Sequence, residues 1–305
     1  MRVMVRSRRS RSKATYIYKR EGDLRIEADV YRPDTQRQGP VVVWIHGGAL
    51  INGHRDSVPE WLLNTCQENE FTLVSVDYRL APETRLPDIV QDVEDAIRWV
   101  RAEGPQLFPA ISGAIAVVGE SAGGYLALTA GFRVEPPLNA VVSIYGYGDL
   151  IGPWYSQPSP HPCHHEVELT QDEAYRQVSG PPVADERRRD GNGYAFYQFC
   201  RQQGLWPKAV SGWDPQREAN KFQALMPVEN VTADYPPTLL IHGDRDTDVP
   251  HHQSELMAAE LAKYEVEHRL LTIPGAEHGL AGAERTAVDS AFQEAVTFLG
   301  RHLVS

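Results

Sequence analysis

Five unbroken apolar runs, at residues 40–45, 71–76, 115–118, 140–144 and 238–241, constrain this chain more than any other feature. A strand with one face in water alternates apolar and polar residues. Runs without alternation suit strands buried on both faces, as in a parallel sheet covered by helices. The segments between them have the helical period: 87–101 puts Ile89, Val93, Ile97 and Val100 on one stripe. Further helical patterns follow Ser121 and cover 249–264 and 287–303, and 269–273 reads as one more strand. Near the start, 16–18 and 24–31 alternate around Gly22-Asp23, which predicts an antiparallel hairpin. The predicted class is α/β, with a mostly parallel central sheet flanked by helices.

The alternation breaks once. Residues 148–236 hold no clear strand and are rich in Pro, Trp, Tyr and charge. A stretch of that length is too long for an ordinary connection, so a helical insertion with its own small core is expected there. Inserted between two strands at the ligand-binding edge of an open sheet, it would cover a site as a cap. The core is then 16–147 together with 237–305, and residues 1–15 read as a disordered basic leader.

Charge narrows the function classes. The formal charge is −11, yet residues 1–20 carry eight Lys/Arg and no acid, leaving −19 on the remainder. A body so acidic repels phosphate backbones, so no nucleic-acid partner is expected for it. No run approaches the length of a membrane span. Cys66, Cys163 and Cys200 form no disulfide framework, and a reducing, cytoplasmic setting is the simpler reading. A homodimer is an arrangement this reading leaves open.

The chemistry is concentrated after the strands. Gly119-Glu120-Ser121-Ala122-Gly123 is a G-x-S-x-G string directly behind one buried run and directly before a helix. Small flanking residues permit the tight turn that exposes the central hydroxyl. A nucleophilic serine needs a base. Among eleven histidines, His278 in Pro274-Gly275-Ala276-Glu277-His278-Gly279 is the candidate, on a loop just past a strand. The carboxylate that orients it should come from His242-Gly243-Asp244-Arg245-Asp246-Thr247-Asp248-Val249-Pro250. Asp246 is the choice; Asp244 is read as holding the turn and Asp248 as capping the helix that opens at Pro250. His46-Gly47-Gly48-Ala49 ends the first buried run, and the N–H groups of Gly47, Gly48, Ala49 and Ala122 are the expected oxyanion donors. Trp154, Tyr155, Trp206 and Trp213 are expected to line an apolar substrate pocket. His46 and His242 read as structural, and Asp77 with Arg79 as a structural pair or turn anchors. The cluster His161, Cys163, His164, His165 and Glu166 matches no zinc spacing, so no metal and no cofactor are expected.

These residues resemble the α/β-hydrolase superfamily and, within it, the hormone-sensitive-lipase-like carboxylesterases. The resemblance runs from about Leu24 to the C-terminus. It is carried by His46-Gly47-Gly48-Ala49, similar to H-G-G-G, by Asp77-Tyr78-Arg79-Leu80-Ala81-Pro82-Glu83, by Gly119–Gly124 and by His278-Gly279. Ala49 stands where the family has a third glycine, and Glu120 where it usually has aspartate. The acid loop is closer to the prolyl-oligopeptidase and dienelactone-hydrolase branches. The resemblance implies a carboxylesterase acting on a small or medium apolar ester through an acyl-serine. The alternatives are amidase, peptidase-like or acyltransferase chemistry with the same triad, or a non-catalytic binding protein on this fold.

Overall fold

The computed structural model describes residues 12–33, 38–108 and 110–304. Eight strands form one sheet: β1 (Ser12–Glu21), β2 (Leu24–Arg32), β3 (Gly39–Ile45), β4 (Thr72–Val76), β5 (Ala110–Glu120), β6 (Ala140–Ile144), β7 (Thr238–Gly243) and β8 (His268–Ile273). Their order is β1-β2-β4-β3-β5-β6-β7-β8. The first two pairings are antiparallel and all those from β4 through β3 to β8 are parallel.

The apolar runs are unbroken because each strand feeds two cores. In β3, Val41, Val43 and Ile45 face one side. Val42 and Trp44 face the other. Helices α1 (Glu60–Glu68), α2 (Leu86–Leu107) and α3 (Ala122–Arg133) follow β3, β4 and β5 in turn. Beyond β6 come the short helices α4 (Pro153–Ser156), α5 (Gln171–Arg176), α6 (Tyr194–Gln203), α7 (Trp206–Ser211) and α8 (Ala219–Gln223). Then α9 (His252–Lys263) and α10 (Arg285–Val304) complete the layers. The helix stripe of α2 buries Ile89, Val93, Ile97 and Val100 as its spacing predicts. Among the described residues, no helix is long and apolar enough to cross a membrane.

Two expectations need correcting. The strand β1 begins at Ser12, so residues 12–15 are not leader; 1–11 lie outside the described residues. The reason is electrostatic: Lys13 meets Asp29 at 2.7 Å and Asp56 at 2.6 Å, while Thr15 Oγ1 donates to Asp29 Oδ1 at 2.7 Å. The residues between β6 and β7 contain no strand, as expected, but they do not build a separate core. Tyr155, Phe196, Trp206 and Phe222 join the same apolar cluster as the sheet face under α3. A column of rings makes that continuity: Tyr125 stacks on Tyr147, which meets Tyr155 and Trp206 edge-on.

Register decides where chemistry can gather. Ile45 pairs with Gly119, Glu120 with Ile144, Ile144 with Ile241, and Gly243 with Ile273. The strands therefore end together. The loops that follow, at 46–49, 121, 145, 244–249 and 274–279, share one edge of the sheet, where open α/β sheets bind ligands.

Candidate active site

The turn at Ser121 is sharp enough to be strained. Ser121 has φ 51° and ψ −120° between β5 and α3. This positive φ is costly for a side chain other than glycine and is characteristic of a strand-to-helix elbow that thrusts its serine outward. The flanking glycines are needed for approach. A Cβ on Gly119 would sit 2.1 Å from the Gly123 carbonyl oxygen, and one on Gly123 would sit 2.1 Å from that of Ile45. The Ser121 N–H donates to Ile144 O at 2.8 Å, fixing the elbow to β6.

Three distant side chains meet at this elbow. His278 Nε2 lies 3.1 Å from Ser121 Oγ. On the other side of the ring, His278 Nδ1 is 2.7 Å from Asp246 Oδ2. Asp246 is in turn held by its other oxygen, Oδ1, which accepts from the N–H groups of Asp248 at 3.0 Å and Val249 at 2.8 Å. The acid and base loops are tied together: Glu277 Oε2 accepts from Thr247 N–H at 3.1 Å and Thr247 Oγ1 at 2.9 Å. Asp244 holds the turn as expected, accepting from Gly275 N–H at 2.7 Å.

The electrostatics favour an imidazole that takes up protons readily. Burial alone would lower the His278 pKa, but the Asp246 hydrogen bond and the charges of Asp248, Asp246 and Glu120 raise it above the ordinary value. Asp246 moves the other way: burial opposes its charge, yet the bonds to His242 and His278 hold it below the usual carboxylate range. His242 braces Asp246 from beneath at 3.4 Å, with Nδ1 on Ser254 Oγ and Nε2 on Val249 O.

Facing the elbow is the loop after β3. Gly47 lies so close that a Cβ there would be 3.2 Å from Ser121 Cβ. Gly48 has φ 107°, and Ala49 continues in the left-handed region at φ 54°. The Gly48 carbonyl accepts from Ile51 and Asn52, turning the strand end into a tight loop. His46 sits behind it, fully buried and stacked on Tyr78 at 4.3 Å; burial pushes its pKa down to about 4, so it is a neutral brace. Gly47, Gly48 and Ala49 border the same cavity as Ser121 and His278, of about 450 Å³. Ala122 starts α3 immediately after the serine. The arrangement can pass a proton from Oγ to Nε2 while Asp246 holds Nδ1, beside N–H groups at a helix start.

The aromatic pocket expected from sequence needs correction. Trp154, Tyr155, Trp206 and Trp213 do not line this cavity. Trp154 stacks on Tyr155 at 3.7 Å and Tyr155 on Trp206 at 4.0 Å, so their faces are spent on one another. Trp213 packs edge-on against Phe222. Trp206 still acts on the site, because its Nε1 donates to Ala49 O at 2.9 Å. The aromatic lining comes instead from Tyr145, Tyr194 and Tyr197, joined by Asn52, Glu186, Asn192 and Asp248. Sequence reasoning placed none of these in the cavity and read Asp248 as a helix cap. Tyr145 alone had a positional signal, directly after the strand run ending at Ile144. It packs edge-on against the His278 ring at 4.9 Å and donates to Glu120 Oε2 at 2.6 Å.

Asp77 and Arg79 do not pair with each other. Asp77 holds Arg55, and Arg79 holds Asp92 at 2.7 Å. Asp248 does not cap a helix at Pro250; α9 starts at His252, with His251 as its N-cap. Of the histidine–cysteine cluster, His164 bonds Asp248 at 2.9 Å and Ser159 at 2.7 Å.

A family model described as alpha/beta hydrolase fold matches residues 42–282. The chain belongs to that family. This α/β hydrolase is 29% identical over 257 residues to the esterase LipC of Mycobacterium tuberculosis, covering 80% of this chain and 53% of that protein. It is also 28% identical over 325 residues to the non-reducing polyketide synthase Preu3 of Preussia isomera, covering 90% of this chain and 13% of the synthase. The chain thus spans about half the esterase and a small part of the synthase. Among solved structures, an α/β-hydrolase superfamily protein from Enterococcus faecalis superposes with TM-score 0.74 at 22% identity, covering 96% of this chain and 99% of that one. The Pyrobaculum calidifontis esterase superposes with TM-score 0.68 at 24% identity, covering 96% and 86%. These likenesses show the fold.

Proposed function

We propose that this α/β hydrolase is a carboxylesterase-type serine hydrolase that cleaves esters of small or medium apolar acids through a covalent acyl-serine. The observation that carries the reading is the unbroken chain from Ser121 Oγ through His278 to Asp246, with contacts of 3.1 and 2.7 Å. Relatives named as esterases support it.

Ser121 Oγ attacks the ester carbonyl carbon as His278 Nε2 takes its proton, and Asp246 stabilises the imidazolium from Nδ1. The carbonyl oxygen becomes an oxyanion, received by N–H groups of Gly47, Gly48, Ala49 and Ala122; one such donor is worth about 3–4 kcal/mol of barrier in comparable sites. The tetrahedral adduct then breaks its bond to the alcohol oxygen, which leaves with the proton from His278. Water, deprotonated by His278, attacks the acyl carbon and frees the acid and Ser121. Residues 148–236 serve as the cap in this reading, since Glu186, Asn192, Tyr194 and Tyr197 supply one side of the cavity.

The test is hydrolysis of short p-nitrophenyl esters, beside labelling by a fluorophosphonate probe. The proposal expects turnover and stoichiometric labelling, both abolished in Ser121→Ala. A folded Ser121→Ala variant with wild-type turnover overturns it.

A further inference from the structure

Asp248 stands two residues beyond Asp246, and its two oxygens face different things. Oδ1 is saturated by the insertion: it accepts from Tyr197 OH, from His164 Nε2 at 2.9 Å and from Arg201 Nη1 at 2.9 Å. Oδ2 receives no hydrogen bond from the described residues. Asp248 borders the cavity, and Oδ2 lies 3.8 Å from His278 Nε2. The group is ionised: burial opposes the charge, but the His164 bond and the charges of His278 and Arg201 hold it well below the usual carboxylate range.

We propose that Asp248 Oδ2 selects the leaving alcohol, so that the enzyme prefers esters whose alcohol carries a second hydroxyl on the carbon next to the ester-bearing one. The inference rests on the ester-cleaving function above. His278 Nε2 must hand its proton to the leaving oxygen, which therefore comes within about 2.6–3.2 Å of that nitrogen. Ser121 Oγ occupies one side of Nε2, and Oδ2 stands close on another. The leaving oxygen and Oδ2 are both acceptors until the proton arrives, so they repel unless a donor lies between them. A simple alkyl group would strip water from Oδ2 and return no hydrogen bond, leaving a charged acceptor unpaired. A neighbouring hydroxyl supplies the donor one ethylene unit away. The rest of the wall agrees: Asn52, Asn192 and Glu186 add polar groups, and no Lys or Arg lines the cavity among the described residues to receive an anionic alcohol.

The experiment compares 2-hydroxyethyl and 2-methoxyethyl esters of one acid. Methylation keeps the electronic pull of the oxygen and removes its donor; the methyl group's own bulk is common to wild type and variant, so the change in the ratio between them reads the donor. The wild-type kcat/KM should favour the hydroxyethyl ester by about 10-fold or more, the factor that one hydrogen bond to a charged group supplies. In Asp248→Asn the amide oxygen must stay with the three donors on the insertion, so its NH2 group faces the cavity. Both esters can accept from that group, and the ratio should fall to about one. A wild-type ratio near one, or an undiminished ratio in folded Asp248→Asn, overturns the proposal; the wild-type ratio decides alone if the variant does not fold. Hydrolysis of neither ester, nor of p-nitrophenyl acetate, overturns the esterase reading and this one with it. Equal hydrolysis of both overturns only this one.

Discussion

Replacing Asp246 with asparagine should disable the base without disturbing its position, and the hydrogen bonds say why. Asp246 Oδ1 faces two backbone donors, the N–H groups of Asp248 and Val249. An amide has to present its oxygen there, because NH2 against two N–H groups would leave all of them unpaired. The NH2 group then takes the place of Oδ2, 2.7 Å from His278 Nδ1. Facing a donor, Nδ1 gives up its proton, and the ring proton moves to Nε2. That nitrogen faces Ser121 Oγ at 3.1 Å and, once protonated, cannot act as the base.

In a comparable triad the wrong tautomer costs about 10⁴ in kcat, or roughly 5 kcal/mol of barrier. The same carboxylate also raises the His278 pKa, so Asp246→Asn should move the acid limb of the pH profile downward. The assay is steady-state hydrolysis of p-nitrophenyl butyrate over a pH series spanning both sides of the ordinary histidine value of about 6.5, with circular dichroism as the fold control. A folded variant within about ten-fold of wild type at every pH would refute the tautomer argument.

Four more outcomes follow from the same contacts. Ser121→Ala should lower kcat by about 10⁶ in ester hydrolysis with an unchanged melting curve. Because His278 is raised by its carboxylate neighbours, kcat/KM for an uncharged ester should rise with pH through a midpoint above about 6.5, and a midpoint below that contradicts the placement of those charges. Arg201→Met removes one partner of a buried ion pair with Asp248 and should reduce urea stability by about 3 kcal/mol; unchanged stability would mean the pair contributes nothing. Trp206→Phe deletes the bond from Nε1 to Ala49 O and should cost about 1–3 kcal/mol in the same denaturation assay, with kcat falling if that bond holds the Ala49 loop.

The sheet was legible because its signal is local. Val41 to Ile45 need only be apolar in unbroken succession to mark a strand with helices on both sides, and the glycines around Ser121 announce their own crowding. The residues of the proposed triad could be picked out for a related reason, since each follows a recognisable strand or turn. The pocket was not. The composition of the insertion marks it as aromatic but does not say which rings face each other, and Trp154, Tyr155 and Trp206 turn out to stack together. Helices of four to six residues, such as α4 and α7, are too short to carry a periodic stripe. Asp248 was misjudged because a local rule, the helix cap, was available, while its partners His164, Tyr197 and Arg201 lie 84, 51 and 47 residues away.

The long Asp77–Glu83 segment acquires a physical meaning only in three dimensions. It does not border the cavity. Its Glu83 instead receives Arg189 from the insertion at 3.0 and 2.5 Å, and the same guanidinium donates to Ala81 O at 2.8 Å and to the carbonyl of Ile51, just past the glycine loop. Both side chains are almost fully buried, 3% and 5% exposed. Arg201 makes the second such fastening, to Asp248 on the acid loop. One arginine thus ties the insertion beside the proposed oxyanion donors and the other beside the proposed base. Displacing the insertion would part both pairs, trading each ion-pair contact for rehydration of its charges, three of them almost fully buried and Asp248 22% exposed. In this structure the insertion is fastened to the core at both places, and its residues Glu186, Asn192, Tyr194 and Tyr197 border the cavity. Since Asp248 Oδ2 lies 3.8 Å from His278 Nε2, the Arg201 fastening reaches the proposed base through a single side chain, and Arg201→Met should lower kcat on p-nitrophenyl butyrate as well as stability; an unchanged kcat in the folded variant would contradict that coupling.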